Sequence, residues 1–258
     1  MRRGLKQAAL ERAPNLATAI GVYRYLRGQQ RRYDQAGRDP RPPAELVVQS
    51  PDGAILQLRD HQLGDLRLGL GELAASQKAE ELLPFLERVA ALAPRAVCEI
   101  GTSAGGTLYL LTRVAAADAV IVSVDLDTPP HLAAARKRLA RGGQRLVSLA
   151  GDSHSEAMRD RVQDALDGRP LDALFIDGDH SYDGVKRDWE LYSPLVRPGG
   201  VIGLHDVQED YATSRGTQTA AISGEVPRFW RELREGRKTE ELIADPAQDG
   251  YGIGVVYP

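Results

Sequence analysis

With 258 residues, 42% of them apolar and 5% aromatic, the chain has the material for a sizeable α/β core and none of the bias of a fibrous or disordered protein. Its apolar stretches fall well short of the ~20 residues a membrane helix needs, and its N-terminus lacks the apolar core of a secretory signal, so no membrane span and a cytoplasmic location are expected. The single cysteine, Cys98, excludes an internal disulfide and sits in the apolar run "RAVCEIG", as a small core residue does.

The net charge of −3 is unevenly spread: residues 1–41 hold ten Lys/Arg and three Asp/Glu, a balance of +7 against −10 for the remainder. Leu16, Ile20, Tyr23 and Leu26 recur at helical spacing in this arm. They suit a basic amphipathic helix packed on the domain or on a second subunit, which predicts a homo-oligomer. Contact with an acidic surface such as nucleic acid or membrane headgroups is the other reading, and the acidic remainder argues against nucleic acid. The Pro-rich "RDPRPPAELV" then breaks the chain. Residues 1–43 thus read as arm and linker, and residues 44–75, alternating on both sides of Pro51, Asp52 and Gly53, as a β-hairpin and lead-in.

From residue 76 to 258 the pattern is one domain, opened by a helix in "SQKAEELLPFLERVAAL". Strands are expected at 96–101, 119–125, 145–150, 171–177, 200–206 and 252–257. Helices fall between them in "GGTLYLLTRVAA", "PHLAAARKRLAR", "SEAMRDRVQDAL", "SYDGVKRDWELYSPLV" and "VPRFWRELREG". Such alternation means βαβ units, hence a doubly wound, mostly parallel α/β sheet.

Ligands of open α/β sheets bind beyond the carboxyl ends of the strands. The first strand ends at Glu99 and Gly101 and runs through "TSAGGT" into a helix, a turn that lets backbone approach a ligand, although a tight βα turn needs glycine in any case. The second ends on Asp125, 24 residues beyond Gly101, where an acid can accept both ribose hydroxyls. After the third, Asp152 and Ser153 either read an adenine edge or cap the helix that starts at Ser155 or Glu156. The fourth ends in "LFIDGDHSYDGVKRDW" with Asp177, Asp179 and His180, and the fifth in "GLHD" with His205 and Asp206. Charge is costly at the end of a core strand unless something binds it, so these five should converge on one pocket.

In the order of "EIGTSAGGT", "VSVDLD", "AGDS", "FIDGDHSYDGVKRDWELYSPLVRPGG" and "GLHD", residues 77–258 resemble a class I S-adenosylmethionine-dependent methyltransferase. The likeness is to the branch with cephalosporin-hydroxylase-like proteins and natural-product sugar O-methyltransferases. The resemblance implies a seven-stranded sheet, with a short sixth strand around "TEELIAD" and an antiparallel seventh in "GIGVVY". It implies that Gly101, Ser103 and Gly105 wrap the methionine part of S-adenosylmethionine, with Glu99 at its amino group, Asp125 at the ribose, Asp152 and Ser153 at the adenine, and Asp177 also in the cofactor set. Metal-dependent relatives place ligands where this chain has Asp177, His205 and Asp206, and Mg²⁺ or Ca²⁺ is the implied ion. The histidine departs from their oxygen donors.

Methyl transfer is an in-line displacement, so the enzyme aligns the acceptor and excludes water, while a hydroxyl also needs help in losing its proton. A divalent ion, or Asp179 or His180 as general base, would supply that help. The implied acceptor is a hydroxyl of a small molecule, a sugar or glycosylated natural product of the kind made in antibiotic biosynthesis. A hydroxylase-associated oxidoreductase partner is a rival without an iron triad or flavin motif, and "GTSAGG" lacks the G-x-G-x-x-G spacing of a dinucleotide enzyme. A nucleic-acid methyltransferase using the basic arm is another. The long segment "VQEDYATSRGTQTAAISGEVPRFW" suits a lid or acceptor-binding element, in which Tyr211, Phe229 and Trp230 either face a ring of the acceptor or pack locally.

Overall fold

The computed structural model describes residues 77–258 apart from 104, 127–135, 137 and 138. The arm, the hairpin and most of the helix expected over 130–141 lie outside the described residues. The elements run α1 (Ala79–Ala91), β1 (Ala96–Ile100), α2 (Gly106–Val114), β2 (Val120–Asp125), β3 (Arg145–Ala150), α3 (Glu156–Ala165), β4 (Leu171–Ile176) and α4 (Tyr182–Tyr192). A 3₁₀ turn (Ser193–Leu195) leads into β5 (Val196–His205), followed by α5 (Tyr211–Arg215), α6 (Val226–Leu233), β6 (Thr239–Leu242) and β7 (Ile253–Val256).

The seven strands are ordered β3-β2-β1-β4-β5-β7-β6. β1 to β5 are parallel, and β7 runs antiparallel between β5 and β6. This is the mostly parallel sheet expected from the sequence, with the antiparallel seventh strand in place. β5 starts four residues before the expected 200, because Val196 already pairs with Leu171 and a bulge absorbs "RPGG" before the ladder resumes at Val201.

Every residue of β1 is buried, as in a strand covered on both faces. Val97 points into a cluster with Phe85, Tyr109 and Phe175, while Ala96, Cys98 and Ile100 join Met158, Val162, Tyr192 and Trp230 on the other face. α1 and α2 cover the first side; α3, α4 and α6 cover the second. Each large side chain so buried contributes about 1.5–3 kcal/mol, and Glu99 is the charged exception in the middle of β1.

Serine caps set the helices on the second face. Ser155 Oγ accepts from Met158 N at 3.2 Å, and Ser181 Oγ from Gly184 N at 3.1 Å. At the sheet's far edge Arg88 Nε and Nη2 reach the two Glu240 oxygens at 2.8 and 2.5 Å, and Tyr257 Oη donates to Glu240 Oε2 at 2.9 Å. This fork ties α1 to β6 and the end of the chain.

Candidate active site

The winding of the sheet reverses between β1, paired with β2 on one side, and β4 on the other, and a crevice opens above their carboxyl ends. Two turns meet there: Gly101 N donates to Val124 O at 2.9 Å and Asp177 N to Ile100 O at 2.8 Å. Gly101 has φ +83°, and a Cβ on it would lie 2.0 Å from the Asp177 carbonyl oxygen. Only glycine fits this approach. Gly105, also left-handed at φ +87°, starts α2.

Asp125 does more than present itself to a ligand. Its Oδ2 accepts from Thr102 N at 3.1 Å and Ser103 N at 2.7 Å, so the end of β2 holds the glycine turn of β1. Arg136, itself buried, donates to Ser103 O and lies 3.9 Å from Asp125 Oδ2. Below this turn Glu99 is 1% exposed, and neither carboxylate oxygen has a hydrogen-bond partner among the described residues. Burial, with the Asp177 and Asp125 charges adding to it against the pull of Thr102 and Arg136, pushes Glu99 up to about 8.

Between the turns lies a cavity of about 560 Å³ bounded by Gly101, Ser103, Asp125, Asp152, Ser153 and Asp177, which the strand-end rule had selected. Leu126, His154, Gly178 and Asp179 are also in its wall. Asp152 does not cap α3; its Oδ1 accepts from His154 N at 3.0 Å in a local turn, and Ser155 is the cap. Ser153 O accepts from Tyr192 Oη at 2.8 Å.

At the neighbouring strand ends, His205 Nδ1 sits 3.0 Å from Asp177 Oδ1 and 3.3 Å from Asp206 Oδ2. Burial alone would lower this imidazole, but the carboxylates of Asp177 and Asp206 outweigh it and push it up to about 10. Burial would likewise raise Asp177, and His205 and His180 overcome it, holding the carboxyl below its ordinary range. Gln77 Nε2 donates to Asp177 Oδ2 at 2.9 Å.

His180 Nδ1 is 2.7 Å from the Ile222 carbonyl, an acceptor, so this nitrogen carries the proton and Nε2 turns toward Asp206 Oδ2 at 3.4 Å. The two acids raise the His180 pKa, Asp177 by hydrogen bonding first of all, against the lowering effect of burial. One ligand atom each from Asp177, His180 and Asp206 lies within 4.8 Å of the others. The geometry therefore groups His180 with the two acids, and uses His205 as a hydrogen-bonding bridge between them.

Asp179 is turned away from this group. Its Oδ1 accepts from Ser181 N at 2.8 Å at the start of α4, and this backbone hydrogen bond holds it below the usual carboxylate range. The ring candidates in the long segment pack locally: Trp230 is 1% exposed, Phe229 meets Tyr182 edge-on at 6.0 Å, and Tyr211 Oη donates to Ala247 O at 2.8 Å. Among the described residues no helix is long and apolar enough to cross a membrane.

Residues 98–207, the span from β1 to the end of β5, match the family model of a methyltransferase domain. The chain is a class I S-adenosylmethionine-dependent methyltransferase. A Mycobacterium marinum protein provisionally named an O-methyltransferase is 26% identical over 244 residues, covering 90% of this chain and 98% of its own length. Among solved structures, the O-methyltransferase from Bacillus cereus in complex with SAH matches with a TM-score of 0.53 at 21% identity, over 79% of this chain and 94% of that one. The O-methyltransferase TomG of Streptomyces achromogenes, involved in tomaymycin synthesis and solved with SAM, matches with a TM-score of 0.52 at 20% identity, over 79% and 93%. These two establish the likeness of fold. For this methyltransferase, residues near the crevice that the strand-end rule did not reach are Gln77, Arg136, His154 and, buried on α4 and 3.8 Å from the His154 ring, Asp188. Only the last had a sequence signal, a charge on the apolar face of α4 between Val185 and Leu191.

Proposed function

We propose that this methyltransferase moves the methyl group of S-adenosylmethionine to a hydroxyl of a small molecule, a sugar or glycosylated natural product, assisted by Mg²⁺ or Ca²⁺. The observation that supports it best is the convergence of Asp177, His180 and Asp206 within 4.8 Å, beside a cavity of cofactor size at the switch point of the sheet. In this reading Glu99, Gly101, Ser103 and Gly105 take the methionine end, Asp125 the ribose, and Asp152 with Ser153 the adenine.

The donor set fits a divalent cation. Two carboxylates supply the hard oxygens, and the Nδ1 proton of His180 is fixed on Ile222 O, which leaves the Nε2 lone pair for a ligand. Such an ion, when bound, polarises an acceptor hydroxyl and lowers its pKa. The chain's own residues do the rest. His205 keeps Asp177 and Asp206 oriented, the Ile222 carbonyl fixes the His180 ring, and His180 Nε2 is the proton acceptor should the ion be absent. Asp179, kept ionised by the Ser181 amide, is a weak base and serves the cavity wall.

The test is turnover of S-adenosylmethionine against hydroxyl acceptors of different class: deoxysugar nucleotides, glycosylated macrolides, catechols and a structured RNA. Methylation of the first two, lost in EDTA and restored by Mg²⁺ or Ca²⁺, is the expected result. Methylation of RNA alone, or of sugars at full rate in EDTA, would overturn the acceptor or the metal respectively.

A further inference from the structure

We propose that Asp188 and His154 act as a pair that shapes the nucleoside end of the cofactor pocket, His154 as the contact with the nucleoside and Asp188 as the positioning residue behind it. The pair rests on the cofactor reading above and adds two residues to which that reading gives no role.

α4 grips the turn after β3 at three points. Arg187 Nε donates to His154 O at 3.2 Å, Tyr192 Oη donates to Ser153 O at 2.8 Å, and Asp188 lies between them in sequence, facing the His154 ring. Asp188 is 0% exposed, and neither of its oxygens has a hydrogen-bond partner among the described residues. A buried carboxylate in that condition is expensive and is retained where something pairs with it. Burial pushes Asp188 up to about 6, against the lowering pull of the Ser153 side chain first and of His154 second.

The partner at hand is His154. Its Nε2 is also buried without a hydrogen bond among the described residues, 3.8 Å from Asp188 Oδ1 and 4.0 Å from Asp179 Oδ2, while its Nδ1 is 3.6 Å from Asp152 Oδ1. Three carboxylates thus surround one imidazole, and a ring shift of about 1 Å closes the Asp188 contact to charge-assisted hydrogen-bond distance.

Asp188 sits directly beneath the pocket floor. A Cβ placed on Gly178, which lines the cavity, would meet Asp188 Oδ2 at 3.2 Å and Ile100 Cγ2 at 3.4 Å. The floor is one glycine thick, so the acid behind it acts through the ring beside it. His154 lies in the cavity wall next to Asp152 and Ser153, with Nε2 toward Asp188 and Nδ1 toward Asp152.

Calorimetry with S-adenosylhomocysteine on the full chain tests this. His154→Ala and Asp188→Asn should each weaken binding roughly tenfold, and the double variant should bind no more weakly than His154→Ala, because Asp188 acts only through His154. His154→Gln, which keeps a polar edge, should recover part of the loss. In ¹⁵N-histidine NMR the His154 ring signal should move in Asp188→Asn, a response that a purely structural acid would not cause. Additive losses, unchanged affinity in His154→Ala, or an unmoved ring signal would overturn the pair. If Asp188→Asn does not fold, His154→Ala and His154→Gln on the half-buried pocket wall decide alone: affinity equal to the parent's overturns the proposal. A parent protein that binds no S-adenosylhomocysteine would instead overturn the cofactor assignment itself.

Discussion

Replacing Asp125 by Ala should be the most damaging single change to cofactor binding. The carboxylate accepts two backbone amides of the glycine turn, from Thr102 at 3.1 Å and Ser103 at 2.7 Å, and is the proposed acceptor for the ribose. Losing an acceptor that serves charged hydrogen bonds costs about 1.5–3 kcal/mol when its donors stay buried. Water reaches this side chain, which is 19% exposed, and softens the loss at the loop. Taking roughly 1 kcal/mol for the turn and about 2 kcal/mol for the ribose gives about 3 kcal/mol, a little over a hundredfold in Kd. Asp125→Asn keeps one acceptor oxygen for the turn and should lose closer to tenfold. Titration calorimetry with S-adenosylhomocysteine measures both, and thermal melting without ligand should move by only a few degrees, since the loop share is about 1 kcal/mol. An Asp125→Ala protein that binds within threefold of the parent would refute the reasoning, because neither the turn nor the ribose would then depend on the acid.

Adding Mg²⁺ or Ca²⁺ should raise the parent's melting temperature and leave Asp206→Asn unmoved; full turnover after exhaustive dialysis against EDTA, with no metal by elemental analysis, would sink the metal. Ile222 is 69% exposed beside His180 and anchors it through the backbone carbonyl alone, so Ile222→Ala should raise the acceptor KM severalfold without changing S-adenosylhomocysteine affinity; a change in cofactor affinity and none in KM would exclude it as an acceptor contact. Glu240 is held below its ordinary range chiefly by the Arg88 hydrogen bond. Its contribution is therefore present above the ordinary carboxylate pKa of about 4.3 and lost as pH falls through the lower folded value. The pair is about a third exposed, so Glu240→Gln should cost ~1 kcal/mol or less at pH 7 and flatten that acid step in melting curves. Deleting residues 1–41 should change the oligomer size in light scattering; an unchanged assembly state would remove the arm from the interface.

The strands could be read from the sequence because a parallel strand buried on both faces is a short apolar run closed by turn residues, and "AVCEIG" or "LDALFID" can be little else. The crevice acids were legible for a related reason. The carboxyl end of a parallel strand is where a charge meets a ligand, so Asp125, Asp177 and Asp206 declared themselves by position alone. Contacts between distant segments could not be read this way. That His180 belongs with the acids was expected from the strand ends, but that Ile222, 42 residues on, accepts its Nδ1 proton is something spacing within "DGDHSYDG" does not tell. Asp210 caps α5 and also binds Ser223 N at 2.9 Å, which folds a segment expected to be a loop. Arg136 reaches Ser103 and is buried to 2% exposure, a contact that the pattern of "PHLAAARKRLAR" does not reveal.

Glu99 connects charge in this pocket to a measurable proton. Held at about 8 by burial, it is mostly protonated at pH 7 in the free enzyme. In the proposed pose the ammonium group of S-adenosylmethionine or of S-adenosylhomocysteine docks against it and supplies the opposite charge that the buried carboxyl lacks, so its pKa should fall and a proton should leave. The linkage has a definite sign. A folded pKa above the unfolded one of about 4.3 means that the stability Glu99 contributes is complete at low pH and declines as pH rises toward about 8. Cofactor binding should recover that loss, and its apparent enthalpy at pH 7 should depend on the buffer, differing between phosphate and Tris in proportion to the proton released. Glu99→Gln, with no proton to give, should bind more weakly and show the same enthalpy in both buffers. Equal enthalpies for the parent, or a buffer dependence that survives in Glu99→Gln, would mean that the amino group of the cofactor lies elsewhere.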